Sequence, residues 1–350
     1  MTNKLLLLTS ILCLGTTGRL IAQQLTTIQL VNSGADLEYS GLCAYQDKVY
    51  LLPQYGASSH IAPAKDYKIF SLDKTVLLGY LSDMQKPKGQ RKTALVVKPV
   101  PLKNIEKLPG YVKDHFRGFE AIVIYRDTVF MTIETAYAQR DKSVGFVIRG
   151  MLNKKTHEID IDPSAILTVK NVVVADPVLK NVPNEQVKQI GFEAITLRQD
   201  RSGTKLFILP EFNTGFGMRP FASQVRPDFG GLEQVPIAPV DFRITDMTQD
   251  DTGKWYALNY YYPGERALYV GSHLDEIRSR IPGFAPDSVF ARIVQLEQKG
   301  SSWVWKEIKR IPTRGNNWEG LVRLANGFLI ISDANKNPEK LKTTLAYIAD

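Results

Sequence analysis

The chain has 350 residues, 44% of them hydrophobic and 23% charged, which is enough apolar material for one large domain or two ordinary ones and excludes a disordered chain. Its net charge is +8, yet no run of lysines and arginines is interleaved with aromatics, so a nucleic-acid surface is not indicated. With only Cys13 and Cys43 present, a disulfide-stapled fold is excluded as well.

The first segment reads as an export signal. Lys4 supplies the positive start, Leu5 to Leu14 form an apolar run, and Leu20-Ile21-Ala22 offers a cleavage site before Gln23. The run is well short of the roughly 20 apolar residues that span a bilayer, so no transmembrane anchor is expected after removal of residues 1–22. Loss of Lys4 and Arg19 leaves a charge of +6, and loss of Cys13 leaves Cys43 as a lone thiol within an apolar strand, a core residue. The expected destination is the periplasm or the extracellular space, and residues 24–350 read as a single domain.

After a strand candidate at Leu25–Val31, one pattern recurs five times: an apolar strand opening on Glu, Ser or Thr, a polar turn, then a strand ending in an acid or amide. The hairpins are Leu42–Gln54, Gly118–Glu134, Ala194–Glu211, Met247–Asn259 and Leu321–Asp333, rich in β-branched and aromatic residues around polar turns. Longer stretches after the hairpins hold further strands, such as Tyr67–Leu72 with Thr93–Val100, and Ala291–Glu297 with Trp303–Ile311. Leu274–Ile281 suits a short helix, and no long helix pattern competes. Four strands per unit predict the blade of a β-propeller. Only 31 residues follow Glu319, enough for three strands, so Leu25–Val31 is expected to supply the fourth and close the ring. The expectation is therefore an all-β, five-bladed β-propeller; six blades would need a degenerate repeat inside a long insert.

First strands line the channel of a propeller, which places Ser40, Glu120, Glu193, Thr245 and Glu319 at one height. Strand alternation then turns Tyr39, Phe119, Phe192, Ile244 and Trp318 toward packing between blades. The antiparallel second strands return an outer ring to the same face: Gln54, Glu134, Glu211, Asn259 and Asp333. Three crowded glutamates raise one another's pKa and call for a cation. An all-oxygen set without His or Cys favours Ca²⁺, with Ser40, Glu120, Glu193, Thr245 and Glu319 as its ligands. The four histidines (His60, His115, His157, His273) show no ligand spacing. The same face carries Arg117, Arg219, Arg243 and Arg314, with Asn213 and Asn317, as candidates for binding a small anionic substrate.

At these residues the sequence resembles the calcium-activated nucleotidases (apyrases), secreted five-bladed propellers with a central Ca²⁺. The likeness lies in Ser40-Gly41-Leu42, Glu120, Glu193 ahead of a strand ending near Leu209-Pro210, Thr245, Glu319-Gly320 and Pro227-Asp228-Phe229-Gly230. It also resembles the phytase-like family described as having esterase-like activity, through its Phe-Glu-Ala-Ile openings and acid-terminated second strands. One departure is visible: where the nucleotidases carry a basic pair, this chain has Glu211-Phe212. The resemblance implies a secreted, Ca²⁺-dependent hydrolase of phosphate esters, with Glu134, Glu211 or Asp333 as general base. The alternative is a non-catalytic propeller that binds a sugar or peptide around a structural Ca²⁺. No Gly-x-Ser-x-Gly nucleophile elbow is present.

Overall fold

A computed structural model describes residues 25–31, 37–56, 63–84, 86–87, 94–135, 144–170, 191–212, 221–268, 273–299, 302–312, 316–333 and 343–350. The leader at 1–22 lies outside the described residues. The described part begins with β1 (Leu25–Ile28) and the two-residue β2 (Leu30–Val31). Blade one follows as β3 (Tyr39–Tyr45), β4 (Lys48–Pro53) and β5 (Lys68–Asp73); then come a helix at Lys74–Met84, β6 (Leu95–Val96), which pairs in parallel with β2, and β7 (Lys98–Lys103), which completes the blade. Blade two is β8 (Phe116–Tyr125), β9 (Thr128–Thr135), β10 (Val144–Asn153) and β11 (Glu158–Lys170). Blade three is β12 (Ala194–Asp200), β13 (Gly203–Leu209), β14 (Phe221–Val225) and β15 (Glu233–Pro236). Blade four is β16 (Arg243–Gln249), β17 (Trp255–Tyr261), β18 (Phe290–Lys299) and β19 (Ser302–Ile311), with a helix at His273–Arg280 between its second and third strands. Blade five is β20 (Asn317–Leu324), β21 (Gly327–Asp333) and β22 (Leu345–Ala349), and β1 pairs with β22 as its outermost strand. The ring is closed by the N-terminal strand, as the strand count required.

The first strands contact one another in the cyclic order β3, β8, β12, β16, β20 and back to β3. Among the described residues, five apolar clusters lie as wedges between neighbouring blades in place of one central core. Tyr39, Phe119, Phe192, Ile244 and Trp318 each enter a different wedge, and each is at most 1% exposed. Alternation along the strand predicts this placement. Burial of such side chains, at about 1.5–3 kcal/mol each, holds blade to blade.

Two features depart from the expected plan. Blades one and two merge into one eight-stranded sheet, because the outer strands β7 and β11 pair in parallel through Leu102–Lys103 and Ile159–Asp160. The eleven-residue helix Lys74–Met84 was not foreseen; it buries only Leu77 and Tyr80, so its apolar stripe is too thin to read in the sequence.

At the ring position the first strand carries a β-bulge in four of the five blades. Ser40, Glu120, Thr245 and Glu319 are each the extra or unpaired residue where the register shifts. Glu193 stands one residue before β12. A bulge re-aims the side chain it carries. Here it turns the ring residue to the axis while the preceding aromatic or isoleucine stays in its wedge.

Candidate functional site

Second strands end against the next blade's first strand. The Gln54 carbonyl accepts from Phe119 N (2.9 Å) and the Glu211 carbonyl from Ile244 N (2.8 Å). The outer-ring residue of one blade is thereby set beside the inner-ring residue of the next. Glycines two residues ahead of the ring make room for it. A Cβ on Gly118 would lie 2.4 Å from Gln54 Cγ, and one on Gly191 would lie 3.0 Å from Glu134 Cγ. In blade four the equivalent position is Arg243, and its side chain enters the pocket instead.

The result is a cavity of about 210 Å³ at one mouth of the channel. Seven carboxyls line it (Glu120, Glu134, Glu193, Glu211, Glu265, Glu319 and Asp333) together with Ser40, Gln54, Phe212, Asn317 and a single cation, Arg243. Arg243 is 8% exposed. Its Nη1 donates to Glu211 (2.7 Å) and lies 3.3 Å from Glu265; its Nη2 lies 3.3 Å from Asn317 Oδ1 and 3.9 Å from Glu319. Asn317 Nδ2 donates to Glu319 and, at 3.4 Å, to Asp333. Gln54 Nε2 donates to Glu120 at 2.9 Å. The buried Glu193 Oε2 has no hydrogen-bond partner among the described residues.

Seven acids and one arginine cannot all be charged in so small a volume. Burial, then the Glu211 charge, pushes Glu134 up to about 8, with Arg117 and Arg243 opposing. Glu319 is likewise pushed up to about 8 by burial, despite Arg243. Glu265 rises to about 7, again by burial with Arg243 opposing. Glu120 and Glu193 are held well above the usual carboxylate range, first by burial and next by neighbouring carboxylates. Arg243 is itself buried, but the surrounding acids hold its proton more firmly than water would. The pocket thus stores protons on some carboxyls next to Glu211, which an arginine clamps.

Of the expected metal ligands, Ser40, Glu120, Glu193 and Glu319 line this pocket, and Thr245 does not. Thr245 Oγ1 donates to the Trp318 carbonyl (3.0 Å). The blade-four member of the outer ring is also occupied elsewhere: Asn259 donates to the Asp241 and Arg243 carbonyls and accepts from Arg292. Among the described residues no three acids, histidines or cysteines are arranged as a ready cation cage. The three expected bases, Glu134, Glu211 and Asp333, all line the pocket. Of the expected substrate-binding residues, Arg243 and Asn317 line it and are bonded to its acids. Arg117 donates to the Phe116 carbonyl and is exposed. Arg219, Arg314 and Asn213 lie outside the described residues.

Sequence reasoning misjudged one member and missed another. Arg243 was expected to bind an anionic substrate, not to sit buried among acids; its signal was its place two residues before the ring, where blades two and three carry glycine. Glu265, on a 3₁₀ turn at Pro263–Leu268, belongs to no repeat and left no signal. A further buried acid stands next to the ring position of blade four: Asp246 accepts backbone N–H groups from Met247 (2.8 Å), Leu321 (2.8 Å) and Leu42 (3.3 Å), so blade four is tied to blades five and one.

The sequence matches no protein-family model, and no curated protein is similar to it. Solved structures of similar fold do exist. An exo-β-1,3-galactanase from Phanerochaete chrysosporium is 10% identical with a TM-score of 0.51, over 94% of this chain and 64% of that one. A GH43_1 enzyme from Xanthomonas citri is 9% identical with a TM-score of 0.48, over 92% of this chain and 90% of that one. An exo-1,5-α-L-arabinanase from a bovine ruminal metagenomic library is 10% identical with a TM-score of 0.47, over 91% and 99%. At such identities the likeness concerns the fold, a five-bladed propeller.

Two expectations are corrected here. The resemblance to calcium-activated nucleotidases and phytase-like proteins does not hold: no family model and no curated protein of either kind matches, and the propeller of similar fold above is a galactanase. Phosphoester hydrolysis falls with it, and the small anionic substrate is left without support. Physical chemistry agrees: a pocket with seven carboxyls and one already paired arginine repels a phosphate.

Proposed function

We propose that this propeller is a glycoside hydrolase that works through a carboxyl pair in its axial pocket. The observation that supports it is the split between neighbours. Glu134 keeps its proton up to about pH 8, while Glu211 is held 2.7 Å from the buried Arg243. Glycoside cleavage needs this pairing: an acid to protonate the leaving oxygen and a carboxylate to activate water or stabilise the sugar cation. Glu134 is the proton donor in this reading, Glu211 the carboxylate, and Asp333 and Asn317 position sugar hydroxyls. The galactanase of similar fold was solved with β-1,3-galactotriose, which is consistent with a sugar ligand. The test is a panel of aryl glycosides and neutral polysaccharides. Turnover by the wild type, at least about a hundredfold loss in Glu134→Gln, and disappearance of the basic limb near pH 8 support the proposal. Sugar binding with no turnover on any glycoside overturns it in favour of a non-catalytic sugar-binding propeller.

The surplus of carboxyls also supports a resident hard cation. Ser40, Glu120 and Glu193 are the donors we assign to calcium, Glu193 because its buried oxygen lacks a partner. Calcium should raise the melting temperature of the wild type and leave Glu193→Ala unmoved; equal shifts in both would remove the assignment. Export is inferred from residues 1–22, and secreted protein beginning at Gln23 is the matching result.

A further inference from the structure

The strand ends opposite the carboxyl pocket hold a second cleft, of about 500 Å³, between blades three and four. Its wall is a column of stacked rings. Phe207, fully buried, stacks on Trp255 (4.6 Å between centroids, 24° between planes), and Trp255 stacks on Trp303 (5.2 Å, 19°). The column runs from the interior outward, and Trp303, its outer member, is half-buried on the cleft wall. The indoles of blade four differ in their polar edges. Trp255 Nε1 donates to the Leu197 carbonyl (3.0 Å) and Trp305 Nε1 to the Ala238 carbonyl (2.8 Å). Trp303 Nε1 has no partner among the described residues, and neither have the amides of Gln199 and Gln295, which line the same cleft. Gln249 is fixed at the rim by its bond to the Gly253 carbonyl (3.1 Å).

We infer that this cleft is a second glycan-binding site, remote from the carboxyl pocket, in which Trp303 and the amides of Gln199 and Gln295 hold a stretch of neutral polysaccharide. The chemistry selects the ligand. A pyranose ring offers an apolar face of C–H groups to an indole and a rim of hydroxyls that both donate and accept. A primary amide also does both, and an indole N–H adds one more donor. Two cations, Arg198 and Lys254, stand there with Glu297, a mixture that does not build an anion site. Arg198 lies over the Trp303 ring (5.6 Å) and keeps its face covered until a sugar displaces it. The ring column makes the platform rigid, so little freedom is lost on binding. A site so placed tethers a polymer while another part of it reaches the carboxyl pocket. The choice of a glycan as ligand rests on the glycosidase reading; the cleft itself does not.

Affinity electrophoresis through gels containing xylan, arabinan or β-1,3-galactan tests this with the Glu134→Gln protein beside the wild type, so that binding is read apart from turnover. Both should be retarded alike by at least one polymer. Trp303→Ala and, separately, the surface change Gln295→Ala should weaken retardation, the former by about tenfold in Kd, the worth of one ring contact. The melting temperature of Gln295→Ala, and the turnover of a small aryl glycoside by both variants, should stay near wild type. Retardation that depends on Trp303 in a protein with no glycosidase activity keeps this site and removes the enzyme. No retardation of the wild type by any polymer, or equal retardation of wild type, Trp303→Ala and Gln295→Ala, overturns the site whatever the activity.

Discussion

Replacing Arg243 with glutamine removes the one cation that seven carboxyls share, and the consequence depends on pH in a direction that can be worked out. Arg243 lies within 4 Å of Glu211, Glu265 and Glu319. Breaking a buried ion pair by deleting one partner costs about 3–5 kcal/mol when the other partner stays charged. At pH 8 Glu319 and Glu265 are ionising around the vacated position, so the full loss is expected. At pH 5 Glu134, Glu319 and Glu265 carry protons, because their pKa values lie near 8, 8 and 7. The remaining loss there is then mostly the guanidinium's contact with the Tyr260 ring (5.0 Å) and one weakened pair, about 1 kcal/mol. Urea unfolding of wild type and Arg243→Gln at pH 5 and pH 8, with chelator present, measures both. Equal losses at the two pH values would mean that Arg243 acts by packing alone, and the account of the pocket as a charge cluster would fail. Adding Glu211→Gln should recover part of the pH 8 loss, since the carboxyl that Arg243 bonds most closely goes with it.

The wild type itself should lose stability as pH rises. Acids whose native pKa values exceed their unfolded ones contribute stability that is complete below about pH 4.5 and lost as pH climbs toward 8. The melting temperature in chelator should fall across that window, and Glu193→Gln should flatten the fall; a rise instead would contradict the pKa directions. Asp246→Ala leaves three backbone N–H groups without their acceptor, so unfolding should become easier by about 3–5 kcal/mol. Wild-type stability of this variant in a denaturant melt would show that the tie between blades is redundant. Removing residues up to Gln29 strips β1 from β22 and exposes a strand edge. The truncated protein should aggregate or melt lower by light scattering and calorimetry, and a soluble protein with unchanged melting would mean that blade five stands on three strands.

The wheel was legible because its two signals are local and repeated. Alternation put Tyr39, Phe119, Phe192, Ile244 and Trp318 between blades, and a count of residues after Glu319 demanded the N-terminal strand. Assembly of the acids was legible too, since equivalent positions of a ring must meet. The chemistry of the pocket was less so. Arginines are frequent in the loops of this face, and counting them suggested an anion; burial decides otherwise, because acids fill the inside while Arg117 stays exposed. Thr245 keeps the bulge of its repeat but its short hydroxyl is satisfied by a neighbouring carbonyl. Glu265 and the β7–β11 pairing come from segments outside the repeat, and no periodicity announces them.

The carboxyl pocket works against the stability of the fold around it. Each acid pushed above its ordinary pKa marks free energy that folding gives up near neutral pH, and the glycines at 118 and 191 keep the backbone open so that Gln54 and Glu134 can crowd in. The wedges between blades and the Asp246 tie bear on the wheel independently of those acids, and Thr245 and Asn259 in blade four show how ring positions look when they serve structure alone. Groups that strain a fold they do not support are where function is to be sought. In this chain the strain is concentrated where protonated Glu134 and arginine-held Glu211 share one cavity, the pairing that glycoside cleavage requires.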